Sequence, residues 1–175
     1  KLFASVSGFI SGGGSPGVHV SLDNGYSFTP VTLQNKNVFA LTSVNNVIFA
    51  GLQSEGVLKS SNNGENWTQT PLNGITVTSL VSNSGFLIAG TEGSGVFVST
   101  NSGLNWVQKN NGLPVPAQIS SLCLNQSGEL YAGIASGNNF SVYRTTNNAE
   151  SWQSTNLTNA NPDNIVSYGT SVFAA

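Results

Sequence analysis

Ser99-Thr-Asn101-Ser-Gly103-Leu-Asn-Trp106 decides the fold, because the same pattern stands at three other places in the chain. They are Ser21-Leu-Asp23-Asn-Gly25-Tyr-Ser-Phe28, Ser60-Ser-Asn62-Asn-Gly64-Glu-Asn-Trp67 and Thr145-Thr-Asn147-Asn-Ala149-Glu-Ser-Trp152. The first residues of the four copies lie 39, 39 and 46 positions apart. A second motif keeps step with the first: Leu2-Phe-Ala-Ser5, Ile48-Phe-Ala-Gly51, Leu87-Ile-Ala-Gly90, Leu130-Tyr-Ala-Gly133 and Val172-Phe-Ala-Ala175. Two motifs in fixed phase at a period of about 40 residues mark an array of one supersecondary unit.

Working outward from Ser99 gives that unit. Val77–Val81 alternates as a strand, and Asn83-Ser-Gly85 reads as a turn. Phe86–Gly90 is a second strand, Gly93-Ser-Gly95 a turn, Val96–Thr100 a third strand, and Asn105–Lys109 a fourth beyond the turn inside the motif. No stretch sustains a helical period. The expected class is all-β, built from four-stranded antiparallel meanders, each one blade of a β-propeller. The repeat divides the chain into a partial blade 1–37, blades 38–76, 77–118 and 119–163, and a partial blade 164–175. The two partial blades offer the second strand twice, so a ring of about four blades does not close. The expectation is a segment of a larger propeller, or one completed by blades from another chain, with open strand edges that invite association.

The eight-residue motif resembles the Asp-box, or BNR repeat, of sialidase, xyloglucanase, sortilin-type and photosystem II assembly factor propellers. The resemblance implies a propeller in which Ser21, Asp23, Gly25 and Phe28, then Ser60, Asn62, Gly64 and Trp67, then Ser99, Asn101, Gly103 and Trp106, then Thr145, Asn147 and Trp152 are structural positions of a peripheral hairpin, away from any active site. Asn stands for Asp in three boxes, and its carbonyl oxygen preserves the turn by accepting the same backbone N–H groups. Ala149 replaces the fourth glycine, where a positive φ costs about 1 kcal/mol, which marks that box as the one to be distorted. The three tryptophans and Phe28 are expected to pack each blade against its neighbour.

Composition narrows the function. Twelve charged residues in 175 leave a net charge of −2, with only Lys1, Lys36, Lys59, Lys109 and Arg144 as cations. Phosphate-backbone binding needs a basic face that these cannot build, so nucleic acid is excluded as a partner. No run of 18 apolar residues exists to span a membrane as a helix, and the start at Lys1 lacks a leader-type apolar segment, which reads as a mature chain or a piece of one. One cysteine, Cys123, and one histidine, His19, rule out a multi-Cys zinc site; neither metal nor cofactor is expected.

A sialidase site would need three arginines, and the chain has Arg144 alone. Glycoside hydrolysis in general needs two facing carboxylates. Asp23, Glu65 and Glu150 belong to the boxes, Glu55 and Glu92 to equivalent turns between second and third strands, and Glu129 to a turn between first and second strands; all read as solvated turn acids. Asp163, in Asn159-Ala-Asn-Pro-Asp-Asn164, is the least explained. His19 reads as a strand residue, Cys123 as a buried small hydrophobe, and Gly12–Gly17 as a flexible loop rather than a phosphate cradle. Candidate glycosylation acceptors are Asn66, Asn125, Asn139 and Asn156. The expectation is thus a non-enzymatic, extracellular, cell-surface or periplasmic scaffold or recognition surface for protein or glycan, with no catalytic residue of its own. Two alternatives stand beside it: a fragment of a xyloglucanase-like glycosidase whose acids lie partly elsewhere, and a carbohydrate-binding module using Phe9, Tyr26, Phe140 or Tyr168.

Overall fold

A computed structural model of the chain describes residues 1–8, 16–136, 139–158 and 164–175. Every element among them is a strand, arranged in five separate antiparallel meanders in chain order. The first has three strands, β1 (Leu2–Val6), β2 (Gly17–Ser21) and β3 (Thr29–Thr32). Three complete blades follow: β4 (Val38–Val44), β5 (Val47–Leu52), β6 (Gly56–Ser60) and β7 (Thr68–Gln69); β8 (Val77–Asn83), β9 (Phe86–Thr91), β10 (Gly95–Ser99) and β11 (Val107–Gln108); and β12 (Gln118–Leu124), β13 (Leu130–Ser136), β14 (Asn139–Thr145) and β15 (Gln153–Thr158). The pair β16 (Ile165–Tyr168) and β17 (Ser171–Ala174) forms a two-stranded sheet. The all-β class and the blade-by-blade meander follow from the alternation and turns of the sequence. The fourth strands β7 and β11 have two residues each, shorter than the five read from Asn105–Lys109.

Each blade buries its faces against the next rather than within itself. Phe49, Val57 and Leu72 of one blade share a core with Val77, Leu80, Leu87 and Ala89 of the following one. Ile88, Val96, Val98 and Leu113 share the next with Ile119, Leu122, Leu130, Ala132, Ile134 and Trp152. The Ala-Gly of the second repeat motif makes this contact possible. A Cβ built on Gly51 would stand 2.6 Å from Val77 Cγ1, and one on Gly90 would stand 2.5 Å from Ile119 Cγ2. Val77 and Ile119, at the starts of the first strands of two blades, therefore sit where a neighbouring side chain is missing.

The first strands of successive blades, β4, β8, β12 and β16, lie side by side around the axis. Polar groups stitch them together: Leu122 N donates to Ser79 Oγ (3.0 Å), Ile165 N to Ser121 Oγ (3.1 Å), Thr78 Oγ1 to the Ile119 carbonyl (2.6 Å), Ser82 Oγ to the Ser43 carbonyl (3.0 Å) and Ser167 Oγ to the Leu124 carbonyl (2.8 Å). The inner strands β4, β8 and β12 carry a register irregularity at one repeat-equivalent place, between Val38 and Ala40, Val77 and Ser79, and Ile119 and Ser121. A bulge re-aims the side chains that follow it, and here the re-aimed hydroxyls of Ser79 and Ser121 meet the next blade. The strand expected at Val77–Val81 runs on to Asn83, because Ser82 and Asn83 pair with Leu87 and Phe86 across the hairpin.

Two substitutions test this packing. Gly90→Ala is expected to lower stability by about 1–3 kcal/mol in urea unfolding, the range for inserting a methyl into a close-packed interior. The second concerns Ala149, which is fully buried in the core that holds Ile88. At the two preceding interfaces the equivalent contact is an aromatic ring on a glycine: a Cβ on Gly64 would lie 3.5 Å from the Phe3 ring, and one on Gly103 would lie 3.0 Å from the Phe49 ring. Ile88→Phe alone should therefore destabilise by about 1–3 kcal/mol, and adding Ala149→Gly should recover most of the loss in a double-mutant cycle.

Candidate functional site

The four repeat turns share one geometry. In each, a buried hydroxyl donates to the Asx oxygen two residues on: Ser21 Oγ to Asp23 Oδ1 (2.7 Å), Ser60 Oγ to Asn62 Oδ1 (2.9 Å), Ser99 Oγ to Asn101 Oδ1 (3.0 Å) and Thr145 Oγ1 to Asn147 Oδ1 (2.7 Å). The same oxygen accepts the backbone N–H of Ser27, Asn66, Asn105 or Ser151 at 2.9–3.1 Å. Gly25, Gly64 and Gly103 also donate their N–H to the hydroxyl, at 2.7–2.9 Å. Two consecutive residues of each turn have positive φ, Asn24–Gly25, Asn63–Gly64, Ser102–Gly103 and Asn148–Ala149. Those are the φ signs of a type I′ turn, closed by the N–H of the next residue on the Asx carbonyl at 3.2–3.4 Å.

Two expectations about these turns change. The fourth is not forced into another conformation: Ala149 adopts φ +66° and the turn keeps its Thr145–Asn147–Ser151 bonds. The methyl fills a site that Ile88, smaller than the phenylalanines of the other interfaces, leaves open. Phe28, expected to pack on a neighbour as the tryptophans do, is exposed (43%), because no blade precedes its own in the structure. Trp152 is buried with Nε1 donating to the Lys109 carbonyl of the preceding blade (2.9 Å), and Trp67 Nε1 reaches Thr32 Oγ1 (2.8 Å). Trp106 packs against the core of the blade before it, although its buried Nε1 has no partner among the described residues.

Four of the described carboxylates are held by neighbours. Asp23 is kept in its turn by Ser27 Oγ (2.5 Å) and Ser21 Oγ, and these hydrogen bonds lower its pKa to about 2. Glu55 pairs with Lys36 (2.6 Å) and Glu150 with Lys109 (2.6 Å). Glu129 departs most from the expectation of a solvated turn acid. It is half-buried, accepting from Arg144 Nη2, Tyr131 OH (2.9 Å) and Asn125 Nδ2 (2.8 Å). The hairpin β13–β14 pairs Tyr131 with Arg144 in register, which brings a residue fifteen positions away onto the Glu129 turn. Position in the repeat identified the turn but not this cross-strand partner. The Arg144 guanidinium, then the Tyr131 hydroxyl, holds Glu129 well below the usual carboxylate range, at about 2.

The candidate glycosylation acceptors differ in exposure, and Asn125 is the enclosed one. It is buried, its Nδ2 donates to Glu129 and its Oδ1 accepts Glu129 N (3.0 Å), so a glycan there would require this turn to open. Asn66 and Asn156 are exposed; Asn139 opens β14. Tyr26 and Tyr168 are almost fully exposed, Phe140 is half-buried, and Asp163, Phe9 and most of the Gly12–Gly17 loop lie outside the described residues. Cys123 is buried beside Val142 and Ile165, and His19 is half-buried in β2. No cluster of three or more His, Cys, Asp or Glu occurs among the described residues. A cavity of about 580 Å³ lies along the inner strands, bordered by Ser5, Thr78, Ser79, Ser121 and Asn164 and by apolar residues that include Phe3 and Phe39, with no charged side chain in its lining.

The Glu129 cluster gives a pH prediction. Its folded pKa is depressed, so its contribution to stability is present above the ordinary value of 4.5 and is lost as pH falls through about 2. Titration of the Glu129 side-chain carbonyl by carbon-13 NMR should show a midpoint near 2, and Arg144→Gln should move it up toward 4.5.

Solved structures of other propellers superpose on the chain. YCF48 bound to D1 peptide matches with a TM-score of 0.64 at 18% identity, over 85% of this chain and 52% of its own. The GH74 enzyme of Niastella koreensis matches with a TM-score of 0.64 at 21% identity, over 81% and 26%. An ancestral GH74 enzyme matches with a TM-score of 0.62 at 26% identity, over 79% and 23%. The chain thus spans about half of the first and about a quarter of the other two. No curated protein sequence matches it. A family model, the DUF6242 beta propeller domain, matches residues 9–129, more than half of the sequence, and the chain belongs to that family.

Proposed function

We propose that this chain is a non-enzymatic, extracytoplasmic propeller segment that acts as a scaffold and as a recognition surface for protein or glycan, completed by further blades of the same or a neighbouring chain. Its Asp-box turns serve as structural pins between blades. The observation that carries this reading is the state of the acids. Asp23, Glu55, Glu129 and Glu150 are each bound to their own turn or to a cation. A general acid for glycoside hydrolysis needs a raised pKa and a second carboxylate across the bond; Glu129, depressed to about 2, is held in the opposite state. The surface is sparsely charged, and the solved YCF48 complex with a peptide supports a protein partner for a propeller of this shape.

A second reading, a piece of a glycosidase, is favoured by the 26% identity to an ancestral GH74 enzyme. Hydrolysis assays of the full-length protein on xyloglucan and on unbranched β-glucans separate the two. The expected outcome is no release of reducing ends. Turnover that disappears on replacing a carboxylate of this chain by its amide would establish the glycosidase instead.

A further inference from the structure

We propose that the groove between blades 38–76 and 77–118 binds a carboxylate side chain of an extended peptide, with Lys59 as its cation. The groove encloses about 280 Å³ and is lined by Val47, Lys59, Asn62, Asn66, Thr68 and Leu104. Of the five described cations, Lys36, Lys109 and Arg144 each hold a carboxylate; Lys1 and Lys59 form no ion pair, and of these two it is Lys59 that lines this groove.

The repeat shows why. Lys59 immediately precedes the hydroxyl residue of its turn, the position of Val20, Val98 and Arg144 in the other blades. Arg144 is neutralised by Glu129, whose repeat position in this blade is Val47, at the start of the second strand. The turn residue facing the groove from the next blade is Leu104, and the equivalent position carries Glu65 in the second turn and Glu150 in the fourth. The position that supplies Arg144 with its acid is thus Val47 here, and the turn residue that shares the groove with Lys59, Leu104, is apolar as well. The Arg144–Glu129 pair shows the same place with its carboxylate supplied from within the blade.

The surroundings suit an incoming carboxylate. Asn62 Oδ1 is taken by Ser60 Oγ and Asn66 N, so the donor that Asn62 can offer in the groove it shares with Lys59 is its amide Nδ2. Val47 and the exposed Leu104 (59%) offer apolar contact to a neighbouring aliphatic side chain. A single ammonium suits a monoanion, whereas a phosphate group calls for several donors or a bidentate guanidinium. The lining has no aromatic face on which a sugar ring stacks. A peptide acid followed by an aliphatic residue fits these features.

This inference deepens the recognition reading and rests on it. Its test is an amide NMR titration of the full chain with blocked glutamyl-leucine, its glutaminyl counterpart and glucuronate. Saturable shifts are expected at Ser61, Asn66 and Ser102 with the glutamyl peptide, and binding at least about tenfold weaker, roughly 1.4 kcal/mol, with the glutaminyl peptide. Lys59→Val, which installs the residue found at positions 20 and 98, and Leu104→Glu, which restores an internal acid, should each cost the same factor while the spectrum stays folded. Equal binding of the two peptides, unchanged binding by either variant, or no binding overturns the site. Glucuronate binding as tightly as the glutamyl peptide overturns the peptide assignment. Any of these results without hydrolysis in the assay above leaves the non-enzymatic reading intact.

Discussion

The structure depends on the close approach of neighbouring blades at Gly51 and Gly90, where a β-branched residue of the next first strand occupies the space a side chain would take. A four-stranded sheet of this size has two faces and few residues, so it cannot form a core alone. The cores confirm it: each of the two largest draws its residues from two successive blades. Polar stitching by Ser79 and Ser121 at the axis and tryptophan packing at the periphery hold the blades in the orientation that this contact requires. The interior therefore belongs to the interfaces, and a change at one blade is felt by the next.

That arrangement explains what was readable from the residues. Type I′ turns need two positive-φ residues, so Asn-Gly and Ser-Gly pairs recur at fixed spacing and reveal the repeat. Strand alternation then gave the meanders, and the family match agrees with that architecture. The bulges in the inner strands were not readable, since they break the alternation used to find strands. Nor was the tolerance of Ala149, because it depends on Ile88, a residue 61 positions away whose proximity exists only in the packed array. A positive φ at alanine costs about 1 kcal/mol locally, and burial of the methyl offsets part of it.

Charge follows the same division between local and interfacial. The turn acid Asp23 is accounted for by its own loop, and its hydrogen bonds were implicit in the motif. Glu129 was not, because its Arg144 partner comes from register in the adjoining hairpin. With twelve charged residues, each pairing is individually identifiable, and the salt bridges of Lys36 and Lys109 each join residues from different blades. Exposed pairs of this kind contribute little stability, about 0–1 kcal/mol, so their effect is to neutralise surface charge rather than to hold the fold.

Against that nearly neutral surface, repeat-equivalent positions become a reference for one another. A propeller repeats its backbone, so a side chain that departs from its counterparts in charge cannot be attributed to a different local fold. Val20 and Val98 show that the position of Lys59 needs no charge for folding, and Arg144 shows that a cation placed there takes a carboxylate when the blade provides one. Lys59 therefore stands where neither the fold nor an internal partner requires it. Since Lys36, Lys109 and Arg144 are each neutralised by an acid of this chain, Lys59 is a point at which the surface is specific rather than merely compatible with its neighbours.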